Sequence, residues 1–184
     1  NNTSLISNSY ANVTMTFTGG NNIGGFVGEF NGTSTIQYSY ALGNINHTTS
    51  GDNTGGFVGY LASGTINNCY STGDVIGNYD TGGFIGEENG ATVTVTNSYS
   101  KPSSIVSGGG GETHPFVGNV GPGTATYTNN YWDNTLVAGT DSAGEYEGLA
   151  TADMDNSANF SGWNTTSVWR FPASGYPEII PLSK

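Results

Sequence analysis

Two short motifs alternate through the first 131 residues, and this alternation restricts the fold more than any other feature. The first runs Ile6-Ser7-Asn8-Ser9-Tyr10 and returns as Ile36 to Tyr40, Ile66 to Tyr70, Val95 to Tyr99 and Tyr127 to Tyr131; its closing tyrosines fall 30, 30, 29 and 32 residues apart. The second runs Gly24-Gly25-Phe26-Val27-Gly28 and returns as Gly55 to Gly59, Gly82 to Gly86 and, degenerate, His114-Pro115-Phe116-Val117-Gly118. Two motifs interleaved at one period indicate a repeat architecture, in which each unit buries its apolar face only against its neighbours.

Each unit reads as three short strands joined by turns. Strict alternation along the first strand puts Ile66, Asn68 and Tyr70 on an inner face and Asn67 and Cys69 on the other. The second strand is short and β-branched, around Met15, Ile45, Val75 and Ile105. The third is the Gly-Gly-Phe segment, whose paired glycines suit a sharp corner, through positive φ or close backbone approach. No window before Tyr131 carries a 3.6-residue apolar period. The predicted fold is an all-β solenoid of about five coils, each three-stranded and ~30 residues long, covering residues 1–131. Like residues then stack, so Phe26, Phe57, Phe84 and Phe116 form one core ladder and Tyr10, Tyr40, Tyr70, Tyr99 and Tyr131 a second. Asn8, Asn68, Asn97 and Asn129 suggest an inward amide ladder that Tyr38 interrupts. His114-Pro115 and the Gly108–Gly111 run predict irregular geometry in the fourth coil.

The motif order Gly-Gly-Phe-Val-Gly, then Ile-x-Asn-x-Tyr-Ser, then Gly-x-Val resembles the GLUG-motif repeats, most closely from Gly55 to Val75. Such repeats occur in large bacterial and archaeal surface proteins, among them adhesins. The resemblance implies a β-solenoid without catalytic residues, in a surface setting such as an archaeal sheath or surface layer.

Composition agrees with a stack that has little interior per coil. Hydrophobic residues make up 34% of the chain, against about 45–50% in ordinary globular domains. Only 9% are charged, so the surface is Asn, Thr, Ser and Gly. The net charge is −11, with Lys101, Arg170 and Lys184 the only cations, which excludes nucleic acid as a partner. No apolar run is long enough to insert in a membrane. The chain opens on Asn1 and shows no signal peptide, which reads as an exported, processed protein of the cell surface or an excised fragment.

After Tyr131 the period stops. Residues 132–184 hold Trp132, Trp163, Trp169, Phe160, Phe171 and Tyr176 and read as an irregular aromatic cap on the last coil. The alternative is an aromatic platform for sugars. Thr151 is a candidate N-cap for one helical turn through Asn156.

Chemistry is sparse. Glu87 and Glu88 are adjacent and should face opposite ways, so the paired carboxylates of a glycosidase are not set up. Asp52, Asp74 and Asp80 flank corners of neighbouring coils and offer oxygen ligands to Ca²⁺, though no regular Asp ladder recurs and no cofactor is expected. His47 and His114 have no ligand spacing to each other or to Cys69. Cys69 faces outward on this phase, as a free thiol or an intermolecular disulfide. The other reading is a small residue at a repeat position held elsewhere by Ser9, Ser39, Ser98 and Asn130. Sequons at Asn12, Asn31, Asn46 and Asn164, besides Asn1, Asn2 and Asn159, allow N-glycosylation, with Asn31 and Asn46 placed at turns.

The first coil begins at once with Leu5, Ile6, Ser7, Asn8, Ser9 and Tyr10 and has no matching cap, which predicts an assembly edge. The leading expectation is a non-enzymatic extracellular structural protein, its partner a further copy of itself, forming a fibre, layer or sheath. The alternatives are an adhesin for a glycan or host surface protein and a polysaccharide-active enzyme.

Overall fold

A computed structural model describes residues 3–90, 92–139 and 146–181; the sequons at Asn1 and Asn2 and the cation Lys184 lie outside them. The chain winds through four flat faces per coil. The first face stacks Leu5–Ser7 with Tyr10–Ala11, then Thr35–Ala41, Gly64–Ser71, Val93–Thr96 with Tyr99–Ser100, and Ala125–Thr128 with Asn130–Asp133. The second stacks Met15–Phe17, Ile45–His47, Val75–Gly77 and Ile105–Ser107. The third holds Ile23–Gly24, Thr54–Gly55, Thr81–Gly82 and Thr113–His114, and the fourth Val27–Phe30, Val58–Leu61, Ile85–Glu88 and Val117–Val120. Every pairing within these faces is parallel. The result is an all-β solenoid of four complete coils and the opening face of a fifth.

A coil has four faces rather than the expected three because the Gly-Gly-Phe segment is itself a corner. A Cβ on Gly24, Gly55 or Gly82 would lie 1.9, 2.0 or 1.8 Å from the carbonyl oxygen three residues on. Close approach, not positive φ, is therefore what reserves these positions for glycine. The Phe that follows turns inward. Phe26, Phe57, Phe84 and Phe116 stack with 4.8 Å between each pair of ring centres. Beside them Ile36, Ile66 and Val95 stand in register and fully buried. Each such burial contributes roughly 2–3 kcal/mol.

The fourth coil is regular, contrary to expectation. Thr113–His114 pairs with Thr81–Gly82, and Phe116 keeps its place on Phe84. The His-Pro substitution is tolerated because, among the described residues, no further strand of the third sheet stacks on this one.

The larger departure lies in the first face. Asn8, Tyr38, Asn68, Asn97 and Asn129 have φ of 52°, 50°, 53°, 50° and 55°. Asn enters this left-handed region more readily than other non-glycine residues. One left-handed residue interrupts period-two alternation and changes which side chains face inward. Cys69 therefore joins Ile66 in the interior, and Tyr70 turns to the outer flank. Three expectations are corrected together. Cys69 is 0% exposed and free, so it is not available for an intermolecular disulfide. The asparagines mark a corner rather than an inward ladder. The tyrosines stack as expected from Tyr10 to Tyr99, and Tyr70, Tyr99 and Tyr131 are buried, but in a second cluster outside the coil interior, with Tyr10 at 66% exposure.

Beyond the fifth opening face, Tyr146–Leu149 adds a further parallel strand to Asn130–Asp133, and Tyr146 sets its ring 4.9 Å from Phe116. Two 3-10 turns, Thr151–Asp153 and Ser157–Asn159, and an antiparallel pair, Trp169–Arg170 with Glu178–Ile179, complete the segment. Thr151 is not an N-cap; its hydroxyl donates to Asp133 Oδ2 at 2.6 Å, while Asn156 caps the second turn by accepting from Ala158 N–H.

Candidate functional site

The left-handed corner creates a local problem. The residue after it points its N–H toward the next coil, where strand pairing is interrupted. At the first four corners a side chain from that coil answers it. Ser9 N–H donates to Ser39 Oγ at 3.3 Å; Ser39 N–H faces the Cys69 sulfur; Cys69 N–H donates to Ser98 Oγ at 3.1 Å; Ser98 N–H donates to Asn130 Oδ1 at 3.1 Å. Each serine hydroxyl in turn donates to the carbonyl two residues before it, as Ser39 to Gln37 at 2.8 Å and Ser98 to Thr96 at 2.9 Å. Position 69 and its equivalents thus require a small acceptor, and a thiol serves. Burial pushes the Cys69 thiol up to about 12, against the opposing backbone donors, so it is unreactive at neutral pH.

The C-terminal segment covers the tyrosine flank rather than only the coil end. Tyr70, Tyr99 and Tyr131 pack with Met154, Phe160, Trp163 and Trp169 in a second apolar cluster. Trp169 is 0% exposed and donates its indole N–H to Asn68 Oδ1 at 2.9 Å. Trp163 lies 4.2 Å from Trp169 and donates to the Asn129 carbonyl at 2.9 Å. Burial, first, and then the neighbouring tyrosine raise the Tyr99 phenol well above its ordinary value. Its hydroxyl donates to the Pro177 carbonyl.

Asp133 fixes the segment at its root. One of its oxygens accepts the Thr135 and Leu136 N–H groups, and the other accepts the Thr151 and Tyr176 hydroxyls, the latter at 2.7 Å. Burial, then this bond to a carboxylate, pushes Tyr176 up to about 12. Lys101 sits 4.3 Å over the Tyr176 ring, and Arg170 pairs with Glu178. Trp132, Trp163 and Trp169 are all buried, so none presents an open face as a sugar platform.

Other candidate residues have structural partners. Asp74 accepts the Ser103 and Ser104 N–H groups. Asp80 accepts from Glu112 N–H and the Asn119 amide. Glu88 is buried and accepts Gly90 N–H, while Glu87 lies in a half-buried row with Tyr60 and Asn119. Among the described residues no three His, Cys, Asp or Glu side chains gather as a metal site. Asn12, Asn31 and Asn164 are exposed. Asn46 is not at a turn: it lies mid-strand between Thr16 and Ile76 with its Oδ1 buried.

The three most exposed large apolar side chains, Leu5, Tyr10 and Val13, lie in the first coil. Tyr10 stacks on Tyr40 at 5.3 Å and Tyr40 on Tyr70 at 4.7 Å; Tyr40 is half-buried against the second apolar cluster, whereas Tyr10 is 66% exposed. Leu5 and Val13 are each 62% exposed and Ile6 39%. From Thr3 to Gly28 there is no Asp, Glu, Lys, Arg or Pro, so the first three faces of this coil lack the charges and prolines that usually protect an edge; the fourth carries the exposed Glu29. A cleft of about 180 Å³ separates Asn8 and Tyr38 from Val168, Ile179 and Ile180.

The GLUG motif family matches residues 50–76. This window runs from just before the third face of the second coil to the second face of the third, so the chain carries the motif its repeats resemble, a motif found in surface and adhesin-like proteins. No curated protein and no solved structure matches the chain. Among the described residues no helix is long and apolar enough to cross a membrane.

Proposed function

We propose that this chain is a non-enzymatic structural element of the cell exterior that assembles with further copies through its first-coil edge. The observation that carries the reading is the row of exposed apolar side chains on the first coil, Leu5, Ile6, Tyr10 and Val13, in a stretch from Thr3 to Gly28 that carries no charge. Exposed strand edges recruit strands, and the GLUG motif supports a surface setting. With a net charge of −11, screening by salt promotes the contact. Electron microscopy of purified protein across salt and protein concentration tests it. Ordered polymers or discrete oligomers support assembly; monodisperse monomers under every condition refute it.

An adhesin for neutral glycans is the second reading. It is favoured by a trough of about 410 Å³ lined by Thr33, Ser63, Thr65, Thr92 and Thr94 with Gly32 and Gly64. Binding to immobilised neutral polysaccharides by wild type, lost on Thr65→Val with Thr94→Val, distinguishes it.

A further inference from the structure

The five described sequons differ in what their amides are already doing. Asn46 lies mid-strand with its Oδ1 buried. Asn159 spends its Nδ2, the atom that would carry a sugar, on the Asp153 carbonyl at 3.0 Å, and Phe160 in the middle of its sequon is buried. Asn31 is exposed, but its Oδ1 accepts the Ser63 hydroxyl of the next coil, and the Gly32 N–H of its own sequon donates to that same hydroxyl. Asn12 is exposed, and among the described residues its side chain accepts no N–H from its sequon.

Asn164 is the one whose amide is set by its own sequon. Its Oδ1 accepts the Thr166 N–H at 3.1 Å and the Ser167 N–H at 3.0 Å. Its backbone carbonyl accepts the Val168 and Trp169 N–H groups at 3.3 and 2.9 Å. Both oxygens of Asn164 therefore close a single turn, and the fully buried Trp169 holds that turn to the body of the protein. Asn164, Thr165, Thr166 and Ser167 are all exposed. With Oδ1 tied into the turn, Nδ2 has no protein partner among the described residues. Two donors on Oδ1 also favour the deprotonated amide, so the Nδ2 proton is easier to remove. Beside the turn an open cleft of about 460 Å³, bordered by Ser157, Thr165 and Phe171, leaves room for a sugar.

We propose that Asn164 is an N-glycosylation site of this chain, and the described sequon that the fold presents best to a transferase. The donor is a sugar carried on a polyprenyl diphosphate. A base of the transferase takes one proton from Nδ2. Nδ2 then bonds to the anomeric carbon as the bond from that carbon to the phosphate oxygen breaks, and the diphosphate leaves with the electron pair. The site takes from the reading above only the setting at the cell exterior, and does not depend on assembly.

Transfer in vitro tests it, using a purified oligosaccharyltransferase and a polyprenyl-diphosphate sugar on the folded full chain, read by glycopeptide mass spectrometry. Synthetic peptides spanning the Asn46, Asn159 and Asn164 sequons report what sequence alone allows. The peptides should all be modified. The folded chain should be modified most at Asn164, less at Asn12 and Asn31, and not at Asn46 or Asn159. Thr166→Val keeps the turn's N–H but removes the hydroxyl a sequon needs, and should abolish transfer to Asn164. Ser167→Pro leaves the sequon intact and removes one donor to Oδ1; it should slow transfer several-fold, with tryptophan fluorescence reporting that Trp169 stays buried. Asn164 left unmodified in the folded chain while its peptide is modified would overturn the proposal, as would faster transfer to Asn12, Asn31, Asn46 or Asn159. An unchanged rate in folded Ser167→Pro would overturn the role of the turn. None of these outcomes bears on assembly, which electron microscopy reads separately.

Discussion

Replacing Cys69 separates two accounts of this residue. If its role is to accept the Ser39 N–H inside the stack, Ser should serve as well and Val should not. Cys69→Ser exchanges a thiol 3.4 Å from the Asn67 carbonyl for the hydroxyl that Ser39 and Ser98 use at 2.8 and 2.9 Å. The better bond is worth about 0.5–1.5 kcal/mol, offset by the smaller side chain in a fully buried site. The net change should stay within about 1 kcal/mol of wild type. Cys69→Val preserves the apolar volume but leaves a buried N–H without an acceptor, a loss of about 1–3 kcal/mol, and crowds a β-branched side chain beside Ile66.

Urea unfolding followed by tryptophan fluorescence and circular dichroism gives both differences. Thiol labelling gives the burial independently, with no reaction of the native protein and full reaction in denaturant, with or without reductant. Equal stability of the Ser and Val variants, or labelling of native Cys69 at the rate of the unfolded chain, would refute the acceptor-ladder reasoning.

Phe57→Ala, which empties the middle of the ring ladder, should destabilise by about 3–5 kcal/mol in the same unfolding assay; a loss below about 1 would mean that the ladder is not the core. Tyr38→Asn replaces a left-handed tyrosine with the residue used by the other coils and should stabilise by about 0.5–1 kcal/mol; destabilisation would mean that packing of the Tyr38 ring outweighs its backbone strain. Burial raises Cys69 to about 12 and Tyr99 well above 10.0, while the unfolded chain ionises near 9.0 and 10.0. Stability from these groups is therefore complete below about pH 9 and falls as pH rises, by up to about 1.4 kcal/mol per pH unit for each group. Chemical denaturation as a function of pH should show this, and Cys69→Ser should remove the part that begins near pH 9.

The solenoid was legible because its period is written in side chains that face one interior. Ile36, Ile66, Phe57 and Phe84 need no knowledge of backbone detail to be placed. The outer flank was not legible from alternation, since alternation assumes extended backbone at every residue and the corner breaks that assumption once per coil. A signal was present. Asn recurs at four of the five corner positions, 8, 68, 97 and 129, in a segment otherwise made of strand formers, and Asn is enriched where φ is positive. Reading that recurrence as a left-handed corner would have brought Cys69 inside and put the tyrosines outside. An outward row of tyrosines then needs cover, which accounts for an aromatic C-terminal segment along the flank rather than only across the end.

The same corner decides how far that cover extends. The segment is pinned to Asp133 at one extremity, and its Trp169 indole is hydrogen-bonded to the Asn68 amide. One coil nearer the open end the equivalent residue is Tyr38, with no amide to accept an indole N–H and with a ring that stands across the cleft from Val168 and Ile179. A further step of the segment toward Tyr40 and Tyr10 would place a buried indole donor opposite a phenyl ring, at a cost of about 1–3 kcal/mol for the lost bond. The one break in the asparagine series thus falls where cover of the tyrosine ladder stops. It leaves Tyr10, at 66% exposure, as the ring of the ladder most open to solvent, while Tyr40 stays half-buried against the second cluster.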